Sequence, residues 1–395
     1  MAAFAAVMTG PGVGAIATVQ LFGDSAQDVL QKAFRRKGDK PFELAEGRIL
    51  LGDIVDGGER IDEVTVGCEG PHAFAIHCHG NPLIVKAVME TLRRQGAETV
   101  PAEQLLSMTF TSQNTYDSIG REAKLGLATV KTMAGAAILS NQGKAGLSAK
   151  VRQWRDTLDS ISLEEIATEA GDILGHSEPA RLIIFGCTIA LIGPPNTGKS
   201  TLLNTLAGRE KAIVSDIRGT TRDWVSAEIH LPPLAATIID TAGLDGGASA
   251  SGGIDQAAQR KSLEITKRAD LVLLVLDISQ PAEQLSEPLA TLLVGRRVVT
   301  VLNKADLPSR LDVARLPGVS GPVIQMSARQ GRGIDDLIHA IHRVCHAANF
   351  DARTPVAFTD RQKRLLEWLQ GCDSKAKARS ILSELLESRV PLSPS

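Results

Sequence analysis

The stretch that decides the fold is Gly193-Pro194-Pro195-Asn196-Thr197-Gly198-Lys199-Ser200, which follows an apolar run at 188–192 and precedes a helical pattern at 200–208. The pattern G-x-x-x-x-G-K-[ST] between a strand and a helix predicts a phosphate-binding loop, or P-loop. Its glycines let backbone N–H groups turn inward, and the helix N-terminus adds partial positive charge. We expect Lys199 to reach the β- and γ-phosphates and the Ser200 hydroxyl to ligate Mg²⁺. An accidental glycine-rich turn is the alternative, and its strand and helix neighbours count against it.

Three further motifs follow in order, each at the end of an apolar run. Asp240-Thr241-Ala242-Gly243 can hold the Mg²⁺ shell through Asp240 and sense a γ-phosphate through the Gly243 N–H. In Asn303-Lys304-Ala305-Asp306, the Asp306 carboxylate can accept two bonds from guanine, which adenine does not offer, and the Lys304 stem can cover the base. Backbone N–H groups of Ser327-Ala328-Arg329 can bind the guanine O6. Four motifs in this order predict a GTP-binding domain.

A switch segment follows the P-loop helix at Ser215-Asp216-Ile217-Arg218-Gly219-Thr220-Thr221-Arg222-Asp223. We expect one of its threonines, Thr221 first, to close on Mg²⁺ and the γ-phosphate. A polar surface loop is the alternative for the whole segment. Arg218 can contact phosphate, although a solvated side chain is the usual role of such a residue.

Five apolar runs, separated for the most part by helical patterns, occupy 187–348. This alternation predicts a mainly parallel sheet with helices on both faces. Strand and helix patterns at 1–112 indicate a separate small α/β unit, with strands at 14–23, 61–66 and 73–79 and helices at 25–34 and 82–95. Helical patterns at 113–180 return at 350–395, and we expect the two stretches to pair. The fold class is therefore α/β and multidomain, with a helical domain interrupted by a P-loop domain.

The composition excludes several classes of protein. The net charge is −2, from 43 basic and 45 acidic residues, so bulk coating of nucleic acid or membrane is excluded. Aromatic residues make up 3%, which disfavours base-stacking surfaces. The 5 cysteines are scattered, as expected of a reduced, cytoplasmic protein. No basic leader or run long enough to span a bilayer is visible, so we expect no membrane association.

The stretch 193–225, followed by DTAG, NKAD and SAR, closely resembles the MnmE (TrmE) family of tRNA modification GTPases. The resemblance is looser at GPGVGAIATVQLFG (10–23), at CHGNP (78–82) and at LSNQGKAGLSAKV (139–151). It implies a folate-binding-like dimerisation domain at 1–112, a helical domain at 113–180 and 350–395, and a G domain at 181–349. It also implies a homodimer that modifies C5 of the wobble uridine in certain tRNAs together with an FAD-dependent MnmG-like partner.

The resemblance further implies a K⁺ ion, held by Asn196 and by backbone oxygens of Ser215, Ile217 and Thr220. Mg²⁺ is implied at Ser200 and Thr221, and at Asp240 through water. The full set of nucleotide-binding residues is expected to be Gly193, Asn196, Thr197, Gly198, Lys199, Ser200, Thr201, Ser215, Asp216, Ile217, Arg218, Gly219, Thr220, Thr221, Asp240, Thr241, Ala242, Gly243, Asn303, Lys304, Asp306, Ser327, Ala328 and Arg329.

Some family features differ here. The catalytic residues are expected to be Lys199, Thr221 and Asp255, where Asp255 stands in for the family's glutamate and a helix N-cap is its alternative role. A tetrahydrofolate derivative is implied as a ligand, although little of 100–126 beyond its Leu-Gly-Leu matches the corresponding stretch. The sequence ends at VPLSPS without the family's C-x-G-K motif. A second hypothesis is therefore a diverged GTPase switch that binds a protein or ribosomal partner without modification chemistry.

Overall fold

The computed structural model describes residues 2–10, 12–38, 44–70, 72–112, 116–209, 225–240, 264–282, 287–313, 316 and 321–387. The chain separates into two compact units, Met1–Leu125 with Glu387–Ser395, and Gly126–Leu386. In the described part of the chain, no helix is both long enough and apolar enough to cross a membrane.

The first unit is built on a seven-stranded sheet in the order β3-β4-β5-β6-β2-β1-β7, antiparallel except where β1 pairs with β7. Its strands are β1 (Ala3–Val7), β2 (Ile16–Phe22), β3 (Phe34–Arg36), β4 (Ile49–Asp56), β5 (Glu59–Gly70), β6 (Ala73–His79) and β7 (Ala97–Thr99). Its helices are α1 (Ala26–Ala33), α2 (Pro82–Arg94) and α3 (Ala102–Ser112), while α4 (Ser118–Gly126) ends at the boundary of the unit.

Alternation along the strands sends apolar side chains to both faces of this sheet. On one face, Val19 and Leu21 of β2 join Leu30 of α1 and Leu92 of α2 in the main core. On the other face, Ala6 of β1 forms a smaller cluster with Leu105 of α3. The structure therefore confirms the predicted strands and helices of 14–95, with shifted ends. It adds β1, β3, β4, β7 and α3, which the sequence analysis did not predict.

The second unit contains helices that lie before and after a six-stranded sheet in the sequence. The helices before it are α5 (Met133–Gln142), α6 (Leu147–Thr157) and α7 (Leu163–Phe185). Those after it are α11 (Asp360–Gln370) and α12 (Lys375–Glu387). Contacts join α7 to α5 and to α11, so helices from 113–180 and 350–395 do meet. The bounds of the four predicted segments stay predictions, and α7 continues five residues past position 180.

The sheet of the second unit has the order β13-β12-β11-β8-β10-β9. Its strands are β8 (Cys187–Ile192), β9 (Val225–Leu231), β10 (Leu234–Asp240), β11 (Leu271–Asp277), β12 (Val298–Asn303) and β13 (Val323–Gln325). The helices α8 (Lys199–Arg209), α9 (Glu287–Leu293) and α10 (Ile334–Val344) accompany it. All pairs are parallel except β9 with β10, as the prediction of a mainly parallel sheet requires. All seven residues of β11 are buried, so the sheet is covered on both faces.

Candidate nucleotide site

The P-loop connects β8 to α8 at the carboxyl end of the parallel strands, where ligands of such sheets bind. Gly193 has φ 148°, and a Cβ there would lie 2.1 Å from the Val275 carbonyl oxygen. Gly198 has φ 92°, and a Cβ there would lie 2.3 Å from Nδ2 of Asn303. Both positions therefore require glycine, because of the backbone conformation and because of a close neighbour.

The Lys199 side chain is buried and lies across the loop rather than in solvent. Its Nζ donates to the carbonyl oxygens of Gly193 at 2.7 Å and Pro194 at 2.9 Å. The Thr197 hydroxyl donates to the Pro194 oxygen at 3.0 Å, which closes the loop further. The cation is thus held inside the curve of the loop, where a phosphate group would benefit from its charge.

Ser200 and Asp240 meet at the end of β10. The Ser200 hydroxyl donates to Oδ2 of Asp240 at 2.9 Å. Asp240 is 5% exposed, and its Oδ1 is buried without a hydrogen-bond partner in the described part of the chain. A buried carboxylate oxygen of this kind needs a donor or a cation, so the pair fits a hydrated Mg²⁺ ion.

Asn303, at the end of β12, joins two loops of the site. Its Nδ2 donates to the Thr197 oxygen at 2.8 Å, and its Oδ1 accepts from the Ala328 N–H at 2.9 Å. The side chain is buried, so both bonds are sheltered from water. The Thr205 hydroxyl of α8 donates to the Ala328 oxygen at 3.0 Å, a contact that the sequence analysis missed. The P-loop and the Ser327–Arg329 loop are therefore fixed to one another.

Asp306 is exposed, and one of its two carboxylate oxygens has a protein donor. The buried Ser327 hydroxyl donates to Oδ1 at 2.6 Å, and this bond holds the pKa of the Asp306 carboxyl below its ordinary value. The Ser327 N–H donates to the Arg332 oxygen, and the Ala328 N–H donates to Oδ1 of Asn303. Of the three N–H groups in this motif, the N–H of Arg329 is therefore the one that stays available for the guanine O6 within the described part of the chain. Asp306 is thus ionised at neutral pH and oriented by Ser327, as an acceptor for guanine would need to be.

Lys304 carries a feature that sequence reasoning did not find. Its backbone has φ 62°, and its Nζ contacts Oδ2 of Asp277 at 2.7 Å. Asp277 ends β11, and its register partner in β12 is Asn303. The sequence did contain a signal for this contact, namely an acidic residue at the end of the apolar run that forms β11. The carboxyl ends of neighbouring parallel strands share one edge of the sheet, so such a residue can reach the residues that follow β12.

Much of the predicted site lies outside the described residues. This holds for the whole switch segment from Ser215 to Asp223, for Thr241, Ala242 and Gly243, and for Asp255. Asn196 is the one predicted K⁺ ligand that is described, and it is exposed with φ 61°. Thr201 lies exposed in the first turn of α8. The individual roles of all these residues stay predictions.

Comparison with known proteins agrees with this arrangement. A family model described as the TrmE N-terminus matches residues 3–104, and one described as a 50S ribosome-binding GTPase matches 188–304. A tRNA modification GTPase MnmE from Heliobacterium modesticaldum is 31% identical over 380 residues, covering 87% of this chain and 81% of the relative. The chain belongs to the MnmE family. The MnmE of Thermotoga petrophila is 29% identical over 400 residues, covering 93% of this chain and 87% of the relative.

Among solved structures, the G domain of the Thermotoga maritima FeoB iron transporter matches at 28% identity. It covers 40% of this chain and 98% of that chain, with a TM-score of 0.32, which is too low to support a conclusion.

The family-model matches lie on the two sheets of the fold. The model described as the TrmE N-terminus covers all seven strands of the first sheet. The model described as a 50S ribosome-binding GTPase runs from β8 to Asn303 and Lys304 of the nucleotide site.

Proposed function

We propose that this MnmE-family chain binds GTP and hydrolyses it to GDP and phosphate. The observation that carries the proposal is the buried Asn303 side chain, which fixes the P-loop to the loop beside Asp306. One loop is suited to phosphates and the other to the edge of guanine, so a single residue sets the distance between the two halves of one ligand. In the reaction, water adds to the γ-phosphorus and the bond to the β–γ bridging oxygen breaks, so that GDP leaves. The proton that the water loses passes to the released phosphate or to solvent.

Two cations belong to this proposal. Mg²⁺ would be held by the Ser200 hydroxyl and, through water, by Asp240, and it would neutralise charge on the phosphate oxygens. The fit rests on the buried, unpartnered Oδ1 of Asp240 among the described residues. K⁺ would be held through Asn196, where it would offset charge that develops between the β- and γ-phosphates. Lys199, already fixed by two loop carbonyls, would contribute a further positive charge.

The direct test is phosphate release from GTP and from ATP, in Mg²⁺ with either K⁺ or Na⁺. We expect GTP to be hydrolysed, ATP to be spared, and the rate in K⁺ to exceed the rate in Na⁺. Asp240→Asn should raise the Mg²⁺ concentration needed, and Asn196→Ala should abolish the difference between K⁺ and Na⁺. Equal rates for GTP and ATP would overturn the assignment of Asp306. Equal rates of the unaltered protein in K⁺ and Na⁺ would remove Asn196 from its assigned role.

We extend the proposal to the biological reaction of the family. Family matches at both the first unit and the G domain support a homodimer that acts with an MnmG-like FAD protein on the wobble uridine of tRNA in the cytoplasm. The test is nucleoside mass spectrometry of tRNA from cells that lack their own MnmE and express this chain with its MnmG-like partner. Restored C5-modified wobble uridine supports the proposal. Unmodified tRNA beside intact GTPase activity would overturn this extension and leave GTP hydrolysis standing.

A further inference from the structure

Asp277 binds the ammonium group of Lys304 with one carboxylate oxygen and accepts hydrogen bonds from Ser279 with the other. Its Oδ2 lies 2.7 Å from the Lys304 Nζ, and its side chain is 8% exposed against 33% for the lysine. Its Oδ1 accepts from the Ser279 N–H at 2.9 Å and from the Ser279 hydroxyl at 2.7 Å. A carboxylate bonded on both oxygens cannot rotate freely, so the position of the ammonium group is set by the protein.

The backbone places these groups together independently of the side chains. β11 and β12 are parallel, with Asp277 in register with Asn303, and the Ile278 N–H donates to the Asn303 oxygen at 3.0 Å. Lys304 comes directly after this register pair with φ 62°, a conformation that a lysine adopts only where its surroundings impose it. The Leu307 N–H bond to the Lys304 oxygen at 2.9 Å closes the turn beyond it. Both ends of the lysine side chain are therefore fixed.

The ionisation state agrees with this geometry. Burial by itself would raise the pKa of the Asp277 carboxyl, but the hydrogen bonds from Lys304 and Ser279 outweigh it and hold the pKa below its ordinary value. Asp277 is therefore a carboxylate throughout the neutral range, and the pair with Lys304 is charged on both sides.

We propose that Asp277, braced by Ser279, is a positioning residue that holds the Lys304 side chain in place over the face of the guanine base. The inference rests on the proposed binding of GTP at this site. A lysine side chain that is already fixed at both ends loses little further entropy when it covers a base. Binding is therefore tighter by the free energy that ordering this side chain would otherwise cost. Asp277 acts through Lys304 and has no contact of its own with the nucleotide.

A contact with the face of the base affects selectivity between purines differently from a contact with the edge of the base. Lys304 over the ring plane would favour any purine with a similar face, whereas Asp306 at the edge would favour guanine over hypoxanthine, which lacks the exocyclic amine. A third role, in which Asp277 acts only through its negative charge, would change the nucleotide affinity in the opposite direction. If Asp277 acted only through its charge, it would repel the phosphates, and its neutralisation would tighten binding.

The experiment compares Asp277→Asn with the unaltered full-length chain, using dissociation constants for GDP and IDP. We expect both constants to rise together by about tenfold, as loss of one buried charged hydrogen bond implies. The ratio of the two constants should stay at the unaltered value. Ser279→Ala should give a smaller rise of about threefold for both, because one of the two bonds to Oδ1 remains.

Asp270→Asn is the matched control, because Asp270 precedes the first residue of the same strand and also holds a cation. It accepts from Arg181 at 2.5 Å and from the Thr188 N–H at 2.7 Å, with 16% of its side chain exposed. A strand of seven residues separates the two carboxylates by roughly 20 Å. We expect Asp270→Asn to lower the unfolding temperature and to leave both nucleotide constants unchanged.

The outcomes separate the inference from the function on which it rests. Unaltered GDP binding in Asp277→Asn, tighter binding, or a changed ratio of GDP to IDP would each overturn the positioning role. An equal loss of affinity in Asp270→Asn would show that the effect is only structural, and would also overturn it. Failure of the unaltered chain to bind GDP would overturn the proposed function itself. The Lys304→Met background adds a check, since Asp277→Asn should then have no further effect.

Discussion

Single residues of the nucleotide site are under constraints that the spacing of motifs does not reveal. Gly198 is required by its φ of 92° and by the Nδ2 of Asn303, which a Cβ would approach to 2.3 Å. The same Nδ2 donates to Thr197, so a side chain at 198 would disturb the bond that fixes the P-loop. The role of the glycine is thus to let two loops approach each other, as well as to let the loop turn.

Gly198→Ala is predicted to weaken GDP binding by at least tenfold, because the residue must leave a backbone region that costs an L-residue about 1–2 kcal/mol and must displace Asn303. The measurement is titration of the protein with a fluorescent guanine nucleotide. Gly208→Ala is the matched control, since a Cβ at this exposed glycine of α8 meets nothing within 4 Å. It should bind normally and be slightly more stable. Similar affinities for both variants would contradict this account of Gly198.

At the scale of elements, one buried side chain joins α5, α6 and the segment that leads into α11. Gln142 is fully buried, and its Nε2 donates to the Thr354 oxygen at 3.0 Å. Its Oε1 accepts from the Leu147 N–H at 3.0 Å and from the Val356 N–H at 3.1 Å. These bonds satisfy backbone groups at a helix end and in an irregular segment, where no ladder supplies partners.

Gln142→Leu is predicted to lower the free energy of unfolding by about 3 kcal/mol, because it removes the partner of two buried N–H groups and of one partly buried carbonyl. Urea unfolding followed by circular dichroism would measure this. Gln153→Leu serves as the control, since Gln153 is exposed on α6 and should change stability by less than about 0.5 kcal/mol. A loss below about 1 kcal/mol for Gln142→Leu would mean that water replaces the lost bonds.

The packing of α6 on α7 contains a pH-sensitive contact. Glu169 accepts from the Trp154 indole N–H at 2.6 Å and from Lys150 at 2.6 Å, and Trp154 is fully buried. Burial would raise the pKa of the Glu169 carboxyl, but these two bonds more than offset it and leave the pKa lowered. Stability from this carboxylate is therefore present above its ordinary pKa of 4.5 and is lost as the pH falls through the lower folded value.

We predict that Trp154 fluorescence, in a chain with Trp224 and Trp368 replaced by Phe, shifts as the pH is lowered below about 4.5. The shift reports loss of the charged acceptor at the indole N–H. Glu169→Gln should remove this pH dependence while leaving the spectrum at pH 7 close to that of the parent, since an amide oxygen still accepts the bond. An identical pH profile in Glu169→Gln would assign the titration to another group.

Prediction from sequence succeeded for elements whose signals are local. The P-loop, α2 and β6 were predicted close to their observed bounds because apolar periodicity and motif spacing are read over a few residues. β4 was missed because Gly52 and Asp53 interrupt its pattern, and the reason for Gly52 lies in β3. A Cβ at 52 would meet the Arg35 oxygen at 2.2 Å, a neighbour that only the folded sheet supplies. The end of an apolar run marks the position of Asp277, but its partner Lys304 lies 27 residues away and is not marked by that run. Gln142 bonds to backbone groups 212 and 214 residues away, so no local pattern marks it.

On the scale of the whole molecule, the chain forms two units with separate cores. The described part of the nucleotide site lies entirely in the second unit, whose helices are tied to its sheet by charged contacts. Arg181 of α7 donates to both Glu178 and Asp270, and Arg297 lies 3.4 Å from Glu178. These partly exposed pairs are individually weak, but together they join α7 to the residues that directly precede β11 and β12.

Calorimetry of the full chain is therefore predicted to show two unfolding transitions, of which GDP raises only one. A ligand that binds only the folded form stabilises the unit that holds it by about 2.7 kcal/mol at one hundred times its dissociation constant. Because α7 and the sheet share contacts, the helices of the second unit should unfold in the GDP-sensitive transition, and the first unit should not respond. Gly198→Ala should reduce the shift at the same GDP concentration, to about half for a tenfold loss of affinity, while leaving both transitions visible. A rise in both transitions would show that the two units unfold together, and a rise in neither would show that the site in the second unit does not bind GDP.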